Sequence, residues 1–281
     1  MRIGVMCSGN GSNFENIVHS CPDHEVVIID NLDNDESRQR IESKQFSSWN
    51  NDNPIFLNED IATMTDFSVF HNAHGMFHLA ALPRVQPSID NPIKYHSVNV
   101  NGTLNMLVAC NEVGIKRFVF SSSSAVYGNV KNLPTDENSD LNPVSPYGLH
   151  KIIGEQYCQL FEKIYDIETF SLRYFNVFGP GQYGASPYST AVSSWCHSIK
   201  NGLELRSDGD GTQSRDMCYV DNVVDVNIRA ANHEGTFRGE AFNVACGDRT
   251  SNNEILAKFQ EKFGELNINQ APFRAGDVMH T

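Results

Sequence analysis

Along the first 175 residues, short apolar runs alternate with longer amphipathic stretches. The runs Arg2 to Met6, Glu25 to Ile29, Gly75 to Leu79, Arg117 to Ser121 and Glu168 to Tyr174 read as strands. Their near-continuous apolar character fits strands covered on both faces, as in a parallel sheet. Between them, Asn99 to Val113 and Tyr147 to Tyr165 carry helical periodicity, as crossover helices would. The polar stretch Asn31 to Asn58 predicts a surface loop with a short helix. After residue 175 the pattern is less regular, with Gly-Pro-Gly at 179–181 and Gly-Asp-Gly at 209–211. The expected fold is therefore α/β: a Rossmann-type doubly wound parallel sheet over residues 1–175. A smaller α+β substrate-binding portion over 176–281 would pack against its carboxyl edge, where ligands of open α/β sheets bind.

Composition changes this picture little. A chain of 281 residues with 40% hydrophobic and 20% charged positions can bury an ample core. The net charge of −13 speaks against nucleic acid or an anionic membrane as partner. Seven cysteines, at 7, 21, 110, 158, 196, 218 and 246, form no Cys-x-x-Cys pair. With no secretory pattern and no apolar run near membrane-spanning length, a cytoplasmic protein with reduced thiols is expected. His71, His74 and His78 are spaced like metal ligands, but Gly75 interrupts them and His78 falls in an apolar run, so no metal is expected.

The candidate chemistry lies in the serine run Ser121-Ser122-Ser123-Ser124, followed by Ser145-Pro146-Tyr147-Gly148-Leu149-His150-Lys151. Tyr147 and Lys151 are spaced i, i+4 and share a helix face, with Ser145 suited to the cap and Pro146 to the first position. A phenol has a pKa of about 10, and bringing it toward neutrality takes about 4 kcal/mol of differential stabilisation. Lys151 is expected to supply part of this, and a second cation, such as an oxidised nicotinamide, the rest. The chemistry indicated is proton removal from a hydroxyl coupled to hydride removal from its carbon, with a strand-end serine orienting the hydroxyl.

Upstream, Gly9 and Gly11 lie in a turn able to bring N–H groups to a phosphate, although Phe14 stands where a third glycine would allow close packing. Asp30 ends the second predicted strand about 20 residues after that turn, where a carboxylate binds the adenosine ribose of NAD.

With these motifs in order, the chain resembles the extended short-chain dehydrogenase/reductases, specifically the UDP-sugar 4-epimerases acting on UDP-glucose or UDP-N-acetylglucosamine. The markers include Asp30-Asn31, Asp60-Ile61, His78-Leu79-Ala80-Ala81, Asn99-Val100-Asn101-Gly102 and the serine run. They continue through Tyr147/Lys151, Arg173 to Pro180, Gln213 to Asp216 and Arg274-Ala275-Gly276-Asp277. The resemblance implies Ser123, Tyr147 and Lys151 as catalytic residues. It implies NAD bound by Gly9, Gly11, Asp30, Asn31, Asp60, Ile61, Leu79, Ala80, Ala81, Asn99, Ser121, Tyr147, Lys151, Tyr174 and Phe175. A UDP-sugar would be held by Ser123, Asn176, Arg215, Arg274 and Asp277, and a homodimer would form through the helices at 99–113 and 147–165.

Ser124 and Ala125 stand where related 4,6-dehydratases carry an Asp-Glu pair and decarboxylases a glutamate, which favours epimerisation through a transient 4-keto sugar. The alternatives are another NAD-dependent nucleotide-sugar enzyme, a dehydratase or a decarboxylase, and a non-catalytic nucleotide-sugar-binding remnant. Two departures stand beside the resemblance. Residues 1–18 look like the opening of phosphoribosylglycinamide formyltransferase. Family members also continue well past the Arg-x-Gly-Asp motif, so the final helices of the substrate portion are expected to be missing. Thr281 falls at the family's pocket-gating position, where a small side chain leaves room for an N-acetyl group.

Overall fold

The computed structural model describes residues 2–6, 25–31, 55–130, 132–185, 189–273 and 278–281. The main sheet begins with β1 (Arg2–Met6), β2 (Glu25–Asp30), β3 (Ile55–Asn58) and β4 (Ala73–His78). It continues through β5 (Arg117–Ser123) and β6 (Glu168–Tyr174). The later strands are β7 (Asn176–Phe178), β8 (Leu205–Asp208), β9 (Ser214–Arg215), β10 (Met217–Tyr219), β11 (Ala241–Val244), β12 (Thr250–Ser251) and β13 (Ile268–Ala271). The helices are α1 (Val85–Asp90), α2 (Pro92–His96), α3 (Gly102–Val113), α4 (Pro146–Tyr165), α5 (Ala191–Lys200), α6 (Val220–Asn232) and α7 (Asn252–Phe263).

Seven strands form one sheet in the order β3-β2-β1-β4-β5-β6-β11, paired in parallel throughout. The order reverses between β1 and β4, and that crevice is where such sheets take a dinucleotide. Two of these strands differ from the sequence reading. Ile55–Asn58 is an edge strand and not part of a surface loop, and β11, from the second half of the chain, extends the sheet beyond β6. The sheet is thus not confined to residues 1–175.

Alternation along each strand builds two apolar layers, because successive side chains point to opposite faces. Val27, Ile29, Phe118 and Phe120 pack with Met106, Leu107 and Cys110 of α3 and with Cys158 and Phe161 of α4. Val26, Ile28, Val119, Phe170 and Leu172 pack on the other face with Val220, Val223 and Val224 of α6. Trp195, Leu205, Ile255 and Leu256 form a separate core for the C-terminal portion.

Helix α4 starts as the sequence dictates. Ser145 is its cap, with its Oγ accepting the Gly148 N–H at 3.2 Å, and Pro146 takes the first position. The Tyr147 N–H, another donor without a helical partner, is donated to Ser88 Oγ of α1 at 3.1 Å. Two glycines let α4 lie directly on the end of β5. A methyl group on Gly148 would meet the Ala125 carbonyl oxygen at 2.5 Å, and one on Gly154 would meet the Phe120 ring at 2.4 Å. This close approach sets the spacing between the helix carrying Tyr147 and the strand end carrying Ser123.

Candidate active site

Ser123 ends β5 and caps the short 3-10 turn Ser124–Val126, with its Oγ accepting the Ala125 N–H at 3.2 Å. Its hydroxyl also faces the Tyr147 phenol. Lys151 lies one turn further along α4 and is buried, and its Nζ donates to the Ser121 carbonyl oxygen at 2.6 Å. The three residues expected to be catalytic are therefore brought together at the carboxyl edge of the sheet.

Burial dominates their electrostatics. Burial raises the Tyr147 phenol above its usual pKa, and the groups that pull it back down are the Ser123 hydroxyl and the Arg84 guanidinium. The Lys151 Nζ donates to the strand-end carbonyl of Ser121 and lies 5.8 Å from the centroid of the Tyr147 ring, and burial lowers the Lys151 pKa to about 8.

The residues expected at the dinucleotide line the same edge. Asp30 is buried at the end of β2, with Asn31 half-buried beside it. Leu79, Ala80 and Ala81 follow β4, and Asn99 pins the turn after them. Its Oδ1 accepts the Leu82 N–H at 2.7 Å and its Nδ2 donates to the Leu82 carbonyl at 3.0 Å. Asn99 lies in a π-helical turn, Ser97–Asn101, ahead of α3.

Ile61 is buried, and its carbonyl accepts from Asn105, while Asp60 caps its own turn through the Ala62 N–H. Ser121 Oγ donates to the Tyr174 phenol at 3.1 Å, and burial pushes that phenol up to about 12. Phe175 packs beneath the 3-10 turn against Val126, Tyr127 and Ile152. Gly9 and Gly11 lie outside the described residues.

A dinucleotide fits this donor set. The Asp30 carboxylate suits ribose hydroxyls, and Lys151 has three N–H donors with one described acceptor, leaving two for a second ribose.

On the substrate side, Asn176 Nδ2 donates to the Asp216 carbonyl at 3.1 Å and to Thr281 Oγ1 at 2.9 Å. Arg215 Nη1 donates to the carbonyls of Ser214 and Met279. Asp216 holds the N–H groups of Cys246 and Gly247, each at 2.8 Å. Asn176, Arg215 and Thr281 thus converge, whereas Arg274 and Asp277 lie outside the described residues.

Sequence reasoning missed three residues here. Arg84 sits in the loop after β4, and only its place beyond a strand's carboxyl end pointed to it. Glu155 and Arg173 form a buried pair at 2.7 Å under the site. Glu155 Oε1 also accepts Ser122 Oγ at 2.5 Å, and Arg173 Nη1 donates to the Tyr127 hydroxyl at 2.7 Å.

Strand order and the serine–tyrosine–lysine assembly together define a dinucleotide-dependent short-chain dehydrogenase/reductase site. The chain belongs to the NAD dependent epimerase/dehydratase family, whose model matches residues 11–245. It is 35% identical over 237 residues to a UDP-glucose 4-epimerase of Mycolicibacterium smegmatis, covering 83% of this chain and 72% of that one. A UDP-N-acetylglucosamine 4-epimerase from Methanobrevibacter ruminantium, solved with UDP-N-acetylmuramic acid, superposes with a TM-score of 0.90 at 32% identity. That match covers all of this chain and 88% of the other. A UDP-glucuronic acid 4-epimerase from Bacillus cereus, solved with UDP-glucuronic acid and NAD, gives a TM-score of 0.90 at 26% identity. It likewise covers all of this chain and 89% of the other.

Proposed function

We propose that this protein is an NAD-dependent UDP-sugar 4-epimerase that interconverts UDP-N-acetylglucosamine and UDP-N-acetylgalactosamine. The observation that carries the epimerase reading is the assembly of Ser123, Tyr147 and Lys151 with no carboxylate after Ser123. Ser124 and Ala125 instead form the 3-10 turn packed against α4. Neither can supply the acid and base that elimination of water requires, which disfavours the dehydratase and decarboxylase alternatives.

NAD, held through Asp30 and Lys151, would supply reversible hydride acceptance at C4, so net redox would be zero. Ser123 orients the C4 hydroxyl, and Tyr147 takes its proton and later gives one back. Lys151, fixed by the Ser121 carbonyl, would donate to the ribose next to the nicotinamide. Asn176 and Arg215, with Arg274 and Asp277, hold the nucleotide diphosphate while the keto sugar turns. The N-acetylated substrate is favoured by the small Thr281 beside Asn176. The reading also takes residues 1–175 as mainly the cofactor portion and 176–281 as mainly the substrate portion.

The same reading includes a cytoplasmic homodimer formed through α3 and α4. The exposed Leu149, Leu160 and Ile164 lie on one face of α4 and would be covered by a second copy. Light scattering should then give about twice the chain mass of 31.4 kDa.

The deciding experiment incubates the protein with UDP-N-acetylglucosamine and, separately, UDP-glucose, and separates the products by chromatography. UDP-N-acetylgalactosamine formed with no net NADH supports the reading. A 4-keto-6-deoxy product or released carbon dioxide would overturn it, and epimerisation of UDP-glucose alone would overturn the choice of sugar.

A further inference from the structure

Ser88 belongs to none of the motifs read from the sequence, yet its hydroxyl completes the cap of the helix that carries Tyr147. In the first turn of α4, Pro146 has no N–H to place. The Gly148 N–H is donated to Ser145 Oγ at 3.2 Å, and the Leu149 N–H goes to the Ser145 carbonyl at 3.1 Å. That leaves the Tyr147 N–H, which is donated across to Ser88 Oγ of α1 at 3.1 Å. Ser88 is fully buried, and its one hydroxyl proton goes to the Val85 carbonyl at 2.6 Å, so the oxygen turns a lone pair to Tyr147. The segment leading into α1 is itself held. Asn99 grips Leu82, the Pro83 carbonyl accepts the Tyr95 hydroxyl at 2.7 Å, and the Arg84 backbone is kept at a φ of +88°, which side chains other than glycine rarely adopt.

We infer that Ser88 is a positioning residue for the catalytic base: its hydroxyl holds the backbone nitrogen of Tyr147 and so sets where the phenol stands against Ser123. This rests on the reading of Tyr147 as the base and deepens it by naming what aims that base. The other anchors of α4 act on other residues. Ser145 holds Gly148, Lys151 is fixed to the Ser121 carbonyl, and Glu155 is fixed to Ser122 and Arg173. Ser88 grips Tyr147 itself, and it does so from a different element. Ser145 is local to the helix, whereas Ser88 belongs to the segment that follows β4, whose Leu79, Ala80 and Ala81 are expected beside the cofactor. The bond therefore ties the base to the cofactor side of the site and not only to its own helix. Without the hydroxyl, the Tyr147 N–H loses its partner, and the first turn must shift to find another.

The test compares Ser88→Ala, which removes the acceptor, with Ser88→Thr, which keeps it. The first measurement is kcat and KM for the NAD-loaded enzyme, with melting temperature recorded beside them. Misplacing a reacting group by about 1 Å can cost about 10²-fold in rate. A loosened first turn moves less than that, so kcat should fall roughly tenfold in Ser88→Ala with KM for the UDP-sugar nearly unchanged. The second measurement is an ultraviolet phenolate titration without substrate, each variant referenced to the same protein carrying Tyr147→Phe so that only Tyr147 is read. The Ser123 hydroxyl favours the phenolate, so a phenol drawn away from it titrates at higher pH. The expected rise in Ser88→Ala is about half a unit to one unit, the size of one hydrogen bond's contribution. Ser88→Thr should restore both the rate and the titration. The inference requires both changes, and the absence of either in Ser88→Ala overturns it. A lowered melting temperature alone would make Ser88 a cap for the fold and nothing more. Equal shifts in Ser88→Ala and Ser88→Thr would place the cause in packing rather than in the hydroxyl and overturn it as well. Failure of the wild type to epimerise any UDP-sugar would count against the proposed function and leave the phenolate titration as the judge of Ser88.

Discussion

Replacing Tyr147 by phenylalanine lowers kcat by roughly 10²–10⁴-fold, the usual contribution of a positioned general acid–base group. The effect should fall on kcat and leave KM nearly unchanged, because the anchors proposed for the nucleotide, Asn176 and Arg215, lie on β7 and β9 and not on the helix that carries the phenol. The fold should survive. Tyr147 anchors its helix through its backbone N–H to Ser88, and Ser123 Oγ keeps its bond from the Ala125 N–H when the phenolic oxygen is removed. A melting temperature equal to wild type together with the loss of turnover would satisfy the prediction. A Tyr147→Phe variant retaining more than about a tenth of the activity would mean that another group carries the proton. Among the described residues no other phenol faces Ser123, and Tyr174 is tied to Ser121 and Asn227 and pushed up to about 12.

How much of this was legible in the sequence depended on how each part earns its stability. Strands β2 and β5 are covered on both faces, so Val26–Ile29 and Phe118–Phe120 are apolar without interruption and the pattern announces them. Strand β3 sits at the sheet edge with its ends exposed, so Ile55–Asn58 carries too little apolar signal to stand out from a polar stretch. Strand β11, Ala-Phe-Asn-Val, is an edge strand in the irregular half, and its pairing with β6 is a long-range event that no local pattern records.

Within the site, Tyr147 and Lys151 were readable because helical spacing and the cap at Ser145 are local facts, and Ser123 because the serine run resembles the family's motif. The electrostatics were not. That Lys151 turns to the Ser121 carbonyl, and that Arg84 faces Tyr147 from a loop 63 residues earlier (147 − 84), follow from tertiary packing. The same holds for Glu155 and Arg173. Their places on a predicted helix and a predicted strand do not reveal that they pair, and only the stacking of α4 on β5 and β6 buries both.

That pair supports the second large effect, on stability. Glu155→Ala should destabilise the protein by about 3–5 kcal/mol, because it leaves the Arg173 guanidinium buried without its counter-charge. In the native chain the carboxylate accepts Arg173 Nε at 2.9 Å, Arg173 Nη2 at 2.7 Å and Ser122 Oγ at 2.5 Å. Arg173 Nη1 passes the network on to the Tyr127 hydroxyl, which donates to Asn243 Oδ1 of β11 at 2.7 Å. The carboxylate thus joins β5, β6, β11 and α4 directly under the serine run. A denaturant midpoint shifted strongly downward with unchanged slope checks the prediction. The double variant Glu155→Met with Arg173→Met isolates the cause: apolar side chains at both positions remove the uncompensated charge, so it should be far more stable than Glu155→Ala. A double variant as unstable as Glu155→Ala would place the loss in the hydrogen bonds of Ser122 and Tyr127. Glu155 also lies one turn beyond Lys151 on α4. The helix carrying Tyr147 is therefore held on the strand ends at three levels: Ser145 and Ser88 at its start, Lys151 on Ser121, and Glu155 on Ser122 and Arg173. Loosening the last of these should lower turnover together with stability, whereas Tyr147→Phe lowers turnover alone.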